Sequence, residues 1–363
     1  MRSGFRKKWD DINQEMEAFY RKVSTRRSAK LRLKRMNGGY DSSKEYKEVV
    51  LPYWKKYGYK PAKYWYDIFS EREQKVDPRY IPDDLYYGVM VPYFSNTLFR
   101  RLGEDKCYHD IWFPDLKRPG TVCKNIAGVF YNENMDIITF DEAVQLCLEY
   151  DGEFLVKPSV DSGEGRLIKF YEPGEATKEN LTKEFKEIDS NFLVQKGVKQ
   201  HKDLAVFNET SLNTIRVVSF FFKDEVHILS SILRVGAKGS KVDNICAGGY
   251  ACVINEDGVL ADKGVNRKAE WVSETNDNVP FKGRKIPAYD EIIRLIKREH
   301  KKLAHFKLIG WDFCIDEEGD PVFIEFNSCP GTNQITFGPT FGDLTDEVLE
   351  EVFIKKTLKN SQN

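Results

Sequence analysis

Between Leu308 and Gln334 the chain reads LIGWDFCIDEEGDPVFIEFNSCPGTNQ, and this stretch restricts the fold more tightly than any other. Two apolar runs, 309–315 and 321–326, flank Glu317-Glu318-Gly319-Asp320, a loop composition that predicts a β-hairpin. Pairing Asp316 with Pro321 sets Asp312 opposite Glu325. Asn327, two residues beyond Glu325, then falls on the same face, because strand side chains alternate. Carboxylates directly opposed across a strand pair repel and weaken the hairpin. A cation between them removes that cost. Ligands that are all oxygen, here two carboxylates and an amide, suit Mg2+ or Mn2+ shared with nucleotide phosphate. The competing reading is a carboxylate that ends its strand in solvent, and the hairpin alone does not decide between them.

The 363 residues are enough for two or three subdomains around a sizeable core. With 41% hydrophobic and 31% charged residues, a soluble folded chain is expected. No apolar run reaches the ~20 residues a membrane-spanning helix needs, and MRSGFRKKWDD lacks the hydrophobic core of a signal peptide. The seven cysteines are scattered without a CxxC pair. Several (Cys147, Cys252, Cys314) sit in apolar runs, which suits reduced buried thiols and a cytoplasmic location. A net charge of −1 argues against a general nucleic-acid binder. It conceals an asymmetry, since no acidic residue occurs between Glu17 and Asp41.

Residues 1 to about 70 read as helical and aromatic-rich. Trp9, Ile12, Met16, Phe19 and Tyr20 recur at helical spacing, which predicts a core stripe. The basic run Arg21, Lys22, Arg26, Arg27, Lys30, Arg32, Lys34, Arg35 follows, ended by Gly38-Gly39. It reads as a solvated face, or as a docking surface from Phe19 to Tyr40 for an anionic membrane or a lipid-linked acceptor. The aromatic cluster Tyr53, Trp54, Tyr57, Tyr59, Tyr64, Trp65, Tyr66 predicts helix packing with hydroxyls at the rim. Helices are expected to open at Asp105-Lys106 and over 139–150, the latter with Thr139 as N-cap, and over 177–188 and 287–306. Strands are expected at 153–157, 166–170, 192–195, 214–222, 226–235 and 248–254.

Four places could carry chemistry. Lys157 closes a strand and precedes a loop whose Ser162, Gly163 and Gly165 let backbone N–H groups approach phosphate; a plain hairpin is the rival. Gln195-Lys196-Gly197-Val198 leaves an apolar strand and offers backbone groups to a purine edge. Arg216, in an otherwise apolar strand, needs an anionic partner: a phosphate, or a structural carboxylate such as Asp312 or Glu325. Asp243-Asn244, then Gly248-Gly249, lie among Arg234, Lys238 and Lys241, a setting that suits a γ-phosphate or a carboxylate. The five histidines have no metal-ligand spacing, so no zinc site is expected. Cys329 has no histidine near it in sequence to make it a nucleophile.

In order, the chain thus carries Asp105-Lys106, LVKP with its SGEG loop, QKGV, NTIR, DN with a following GG, and GWDF with PVFIEFN. This series, over roughly residues 95–345, resembles the ATP-grasp superfamily, and within it the sugar-transfer-associated family related to D-alanine–D-alanine ligases. The resemblance implies an α+β fold in which two α/β subdomains grip ATP between antiparallel sheets. A helical extension would occupy 1–95 and the ATP-grasp domain 96–345. Within the latter, a phosphate-loop subdomain would span about 125–197 and a metal-binding catalytic subdomain about 198–345, with a tail over 346–363. It further implies that Lys106, Lys157, Ser162, Gly163 and Gly165 hold the phosphates. Gln195, Lys196 and Val198 contact adenine, Asn244 lies by the nucleotide, Arg216 and Lys157 serve catalysis, and Asp312, Glu325 and Asn327 bind Mg2+ or Mn2+. Gln195 departs from the glutamate common in relatives, and nothing in the first hundred residues identifies an acceptor. The implied activity is ATP-dependent carboxylate–amine ligation through an acyl-phosphate, on a small-molecule carboxylate and an amine or sugar acceptor, in a protein with a family tendency to dimerise. A kinase acting on a hydroxyl, or a nucleotide-binding protein without catalysis, are the alternatives.

Overall fold

The computed structural model describes residues 2–160, 167–243, 248–266, 270–275 and 277–355. A 34-residue helix, α1 (Arg2–Arg35), opens it. The helix stops where Asn37 enters the left-handed region (φ 51°) and the Gly38 N–H bonds back to the Leu33 carbonyl at 2.9 Å. That return bond caps the last turn, and Arg32, Lys34 and Arg35 there face the negative end of the helix dipole.

Short helical segments between Ser43 and Phe94 then wind an aromatic layer in which Trp54, Trp65, Tyr66 and Phe69 are buried. The predicted aromatic packing is found there. The predicted core stripe on α1 is not, for Met16, Phe19 and Tyr20 are 66%, 69% and 72% exposed and Ile12 and Val23 are exposed beside them. The helix instead turns Ala29 inward and pins itself with an Arg26–Asp84 ion pair at 2.7 Å. Periodicity identified an amphipathic helix but not which side would be covered. The side chain of Trp9 lies outside the described residues.

The first sheet comprises β1 (Thr121–Ile126), β2 (Val129–Tyr131), β3 (Ile137–Ile138), β4 (Phe154–Pro158), β5 (Lys169–Tyr171) and β6 (Phe192–Lys196). Its order is β3-β2-β1-β6-β4-β5, antiparallel throughout. Helices α2 (Phe140–Glu149) and α3 (Lys178–Ile188) cover one face, burying Val144, Cys147, Leu181 and Phe185 against Val156 and Val194. Both start with a reciprocal cap: the Glu142 N–H donates to Thr139 Oγ1, and the Thr139 N–H donates to the Glu142 carboxylate at 2.7 Å. Thr177 and Asn180 repeat the pattern.

The second sheet holds β7 (Thr214–Phe222), β8 (Glu225–Val235), β9 (Tyr250–Ile254), β10 (Leu260–Asn266), β11 (Trp271–Val272), β12 (Leu308–Ile315) and β13 (Pro321–Asn327). Their order is β11-β10-β9-β8-β7-β12-β13. Strands β1 to β3, β10 and β11 were not foreseen; they are short or carry polar residues at alternate positions, so apolar runs do not announce them. Helix α4 (Tyr289–Glu299) packs on one face with Ile292 and Ile296 against Ile309, Trp311 and Phe313. It ends seven residues before the expected 306. The buried His300 ring accepts from Ser219 Oγ at 2.7 Å and donates to the Phe306 carbonyl at 2.9 Å, which draws the chain out of the helix into β12. Helix α5 (Thr345–Glu350) and the turn after it, to Lys355, occupy the stretch expected to be a tail, with Val348, Leu349 and Val352 buried.

The other face of the second sheet is divided. Val218, Phe220 and Leu308 pack under the N-terminal aromatic layer. Arg216 and Asp312, on the same face by alternation, lie beyond its edge. Phe220 joins sheet and layer, with ring centroids 4.9 Å from Phe94 and 5.3 Å from Phe341. Phe220→Ala should therefore cost about 3–5 kcal/mol by the usual price of emptying a buried aromatic site, seen as a lower urea midpoint. An unchanged midpoint would mean the layer does not rest on that ring.

Candidate functional site

The hairpin β12–β13 places Asp312 opposite Glu325, as expected, but by a different route. Ile315, not Asp316, pairs with Pro321, and the register slips between Phe313 and Asp312. The extra residue, Ile324, bulges from β13 and restores the opposition. Asp316 instead accepts the Asp320 N–H at 2.9 Å and pairs with Lys117 at 2.5 Å, closing the turn. Asn327, at the end of β13, accepts the Cys329 N–H at 2.8 Å and so shapes the loop that follows.

Arg216 lies across β7–β12 from Asp312 and grips it through both Nε and a terminal nitrogen, the latter at 2.7 Å. A second guanidinium, Arg234 of β8, reaches the same carboxylate at 3.1 Å, and also Asp243 at 3.1 Å and Thr214 Oγ1 at 2.8 Å. The partner of Arg216 in this structure is thus the structural carboxylate. Arg234, in the sequence a cation flanking Asp243-Asn244, is like Arg216 a guanidinium in a largely buried strand and needs an anionic partner for the same reason.

The first sheet contributes from the opposite side. Alternation along β4 sends Val156 into the core and Lys157 out of it, yet Lys157 is only 6% exposed. Lys106 begins a helical turn whose N-cap, Asp105, accepts the Cys107 N–H at 3.0 Å. Its ammonium reaches Glu325 at 3.0 Å. The two sheets therefore meet through Lys106, with Lys157 beside it.

Charge is unevenly matched here. Burial alone would raise the Glu325 pKa, but Lys106, Lys157 and Arg216 outweigh it and hold the carboxyl at about 2. Lys157 goes the other way: burial, then repulsion from Lys106, lower it to about 8 against the pull of Glu325. Among the described residues its ammonium has no hydrogen-bond or ion-pair partner. A buried cation in that condition is costly unless an anion joins it. His109, buried beside Lys106, is pushed down to about 3 by burial and stays neutral, stacked on Phe326 at 5.4 Å.

Gln195 is buried at the end of β6, and Lys196 follows it, its N–H donating to the Gly120 carbonyl at 2.8 Å. The Gly197 N–H goes to Glu153 at 2.7 Å, whereas that of Val198 has no partner among the described residues. The Lys199 N–H likewise has no partner among the described residues, and Gln195 lines a small cavity together with Lys106, His109, Leu193 and Ile324. Ser162, Gly163, Gly165 and Asn244 lie outside the described residues. Of the other expected site residues, the structure brings together Lys106, Lys157, Arg216, Asp312 and Glu325, with Asn327 at the same strand's end and Gln195, Lys196 and Val198 at the exit of β6.

Asp312, Glu325 and Asn327 form an all-oxygen donor set, which fits Mg2+ or Mn2+. Guanidinium groups occupy Asp312 and a backbone N–H occupies the Asn327 oxygen, so each would ligate through its remaining lone pair.

A half-protonated Lys157 makes a measurable signature. Near pH 8 phosphate should raise its pKa and draw in a proton, so calorimetric ATP titrations in two buffers of different ionisation enthalpy should reveal net uptake. Lys157→Met should abolish the uptake, and equal heats in both buffers for the wild type would contradict the assignment.

A family model described as sugar-transfer associated ATP-grasp matches residues 129–347. Comparison with curated proteins gave no match. Among solved structures, D-alanyl-alanine synthetase A from Vibrio cholerae is 13% identical with a TM-score of 0.40, over 70% of this chain and 65% of its own. A D-alanine–D-alanine ligase from Bacillus anthracis complexed with ATP is 15% identical with a TM-score of 0.37, over 77% and 69%. A biotin carboxylase from Campylobacter jejuni in a β,γ-ATP complex is 12% identical with a TM-score of 0.41, over 69% and 46%. The chain spans just under two thirds of the first of these.

Proposed function

The chain belongs to the sugar-transfer-associated ATP-grasp family, and from that premise we propose that it is an ATP-dependent ligase. In this reading a carboxylate is phosphorylated to an acyl-phosphate, and an amine or other nucleophile then displaces phosphate. The observation that carries it is the Lys157 ammonium, buried beside Lys106 with no partner among the described residues and opposite a carboxylate pair on the facing sheet. Two cations there complement polyphosphate oxygens, and the oxygen ligands complement a divalent ion.

Bound Mg2+ would supply charge neutralisation on the phosphate oxygens. The rest falls to side chains. Lys106 and Lys157 bind phosphate and stabilise charge on the transferring group, with Arg216 and Arg234 close by on the facing sheet. Arg216 and Arg234 also hold Asp312 in orientation. Val198 offers its N–H, and Lys196 its neighbouring backbone, to the adenine edge, with Gln195 at the pocket wall. The segment about 125–197 acts as the lid and 198–345 as the catalytic unit, and the family resemblance alone assigns Ser162, Gly163, Gly165 and Asn244 to the nucleotide. No protein nucleophile is needed, because the carboxylate attacks phosphorus itself. The family's description as sugar-transfer associated supports a sugar-containing acceptor, which this reading takes to be a cell-surface glycan precursor modified in the cytoplasm.

The test is calorimetric titration with ATP, with and without Mg2+, followed by phosphate release in the presence of amino acids and sugar acids. Mg2+-dependent binding and acceptor-dependent free phosphate are expected. Phosphate retained on the acceptor would make the protein a kinase instead, and absence of ATP binding would remove the reading altogether.

A further inference from the structure

We propose that α1 is a docking helix for a bilayer surface rich in anionic lipid. Its outward face begins with Ile12, Met16, Phe19, Tyr20 and Val23, all exposed. Spacings of four, three, one and three residues keep them on one side of the helix. Arg27, Lys30, Leu31 and Lys34 continue that side toward the C-terminus and are exposed as well. An apolar half is thus followed by a basic half along about 33 Å at the standard helical rise.

The helix cannot hide this face by rolling. Its other side is fixed by the buried Ala29, by Arg26 on Asp84 at 2.7 Å, and by Arg21 on the Cys329 sulfur at 3.3 Å. Gly88 lies so close beneath that an added Cβ would meet the Ala18 carbonyl at 3.4 Å. Five adjacent large apolar side chains in water mark a surface that something covers.

Charge selects the partner. From Ala18 to Arg35 the chain has eight basic residues and no acidic one. A second copy packed parallel would set these charges against each other. A polyanion in solution would satisfy the basic half and leave Ile12, Met16 and Val23 in water. An anionic membrane surface satisfies both halves: the apolar residues enter the headgroup–acyl boundary while lysine and arginine sit among lipid phosphates. Through the Arg21–Cys329 contact the docked helix would rest on the loop that follows Asn327, so the catalytic face would be held close to the bilayer.

The full chain should co-sediment with vesicles of three parts phosphatidylcholine to one part phosphatidylglycerol, and not with phosphatidylcholine alone. Binding should fall at least ~10-fold between low and high salt, since exposed charge contacts are screened. Met16→Ser with Phe19→Ser, and separately Lys30→Glu with Lys34→Glu, should each remove binding. Both pairs are exposed, so thermal melts and ATP binding should match the wild type, which separates this proposal from the nucleotide site. Absence of binding to anionic vesicles, or binding that neither variant weakens, overturns it. So does a concentration-dependent dimer in light scattering that Met16→Ser with Phe19→Ser dissociates, in a protein that ignores vesicles; a second copy would then be the cover. Retention on heparin without vesicle binding overturns it in favour of a soluble polyanion.

Discussion

A Lys157→Met protein should melt higher than the wild type without nucleotide, yet have lost nearly all its turnover. The two effects share one cause. Lys157 is buried beside another ammonium, and its pKa falls from 10.5 to about 8. A folded-state pKa below the unfolded one means the charged form is disfavoured by folding. That penalty is fully present below pH 8 and fades as pH rises toward 10.5. A shift of this size corresponds to roughly 3 kcal/mol at neutral pH. Methionine of similar length removes the charge and keeps the packing, so part of that energy should return as a rise of several degrees in Tm. Turnover should drop by about 10²- to 10³-fold, the range for deleting one preorganised electrostatic contact to a reacting group. Differential scanning calorimetry and a phosphate-release assay decide it. A lower Tm in the variant would mean that Lys157 already has an anionic partner in the folded protein.

Glu325→Gln should lose activity to a similar degree, and here stability should fall rather than rise. Glu325 is held at about 2, below its ordinary 4.5, by Lys106, Lys157 and Arg216 acting against burial. A depressed carboxylate contributes stability that is present above pH 4.5 and is lost as pH falls toward 2. About a third of the side chain faces water, so solvent screening reduces the contribution to the order of 1–2 kcal/mol. The amide keeps the shape but withdraws a charge from Lys106 and from the donor set, so Mg2+-dependent ATP binding should weaken far more than metal-free binding. Calorimetry with and without Mg2+ separates the two. If both weaken equally, Glu325 acts through Lys106 alone. If stability at neutral pH is unchanged, the Lys106–Glu325 pair contributes nothing to folding.

Much of the site was legible because it lies on strands that read as apolar runs, in which a charged residue stands out. Thr214–Phe222 and the hairpin carboxylates could be placed from the pattern of apolar residues, and Arg216 stood out as a charge where an apolar residue belonged. Arg234 was less visible because it closes a strand among other cations. The N-terminal layer was legible as aromatic packing but not as a wall over half of one face of the second sheet, since that depends on contacts between residues more than a hundred positions apart, such as Phe94 with Phe220. The exposed stripe of α1 shows the same limit: the sequence period is identical whether a helix turns its apolar side in or out.

By itself, then, the sequence determined the local elements and the chemistry they carry. Capping residues set where α2 and α3 begin, alternation set which residues share a strand face, and the order of short motifs indicated the family. Tertiary structure alone decided how charges are matched. Asp312 meets two guanidiniums, Glu325 meets Lys106 from a helical turn more than two hundred residues earlier in the chain, and Lys157 is left buried without a partner among the described residues. The reason is physical. Elements form from interactions a few residues apart, whereas a group's electrostatic environment is the sum over everything folding brings near it, including the water it removes.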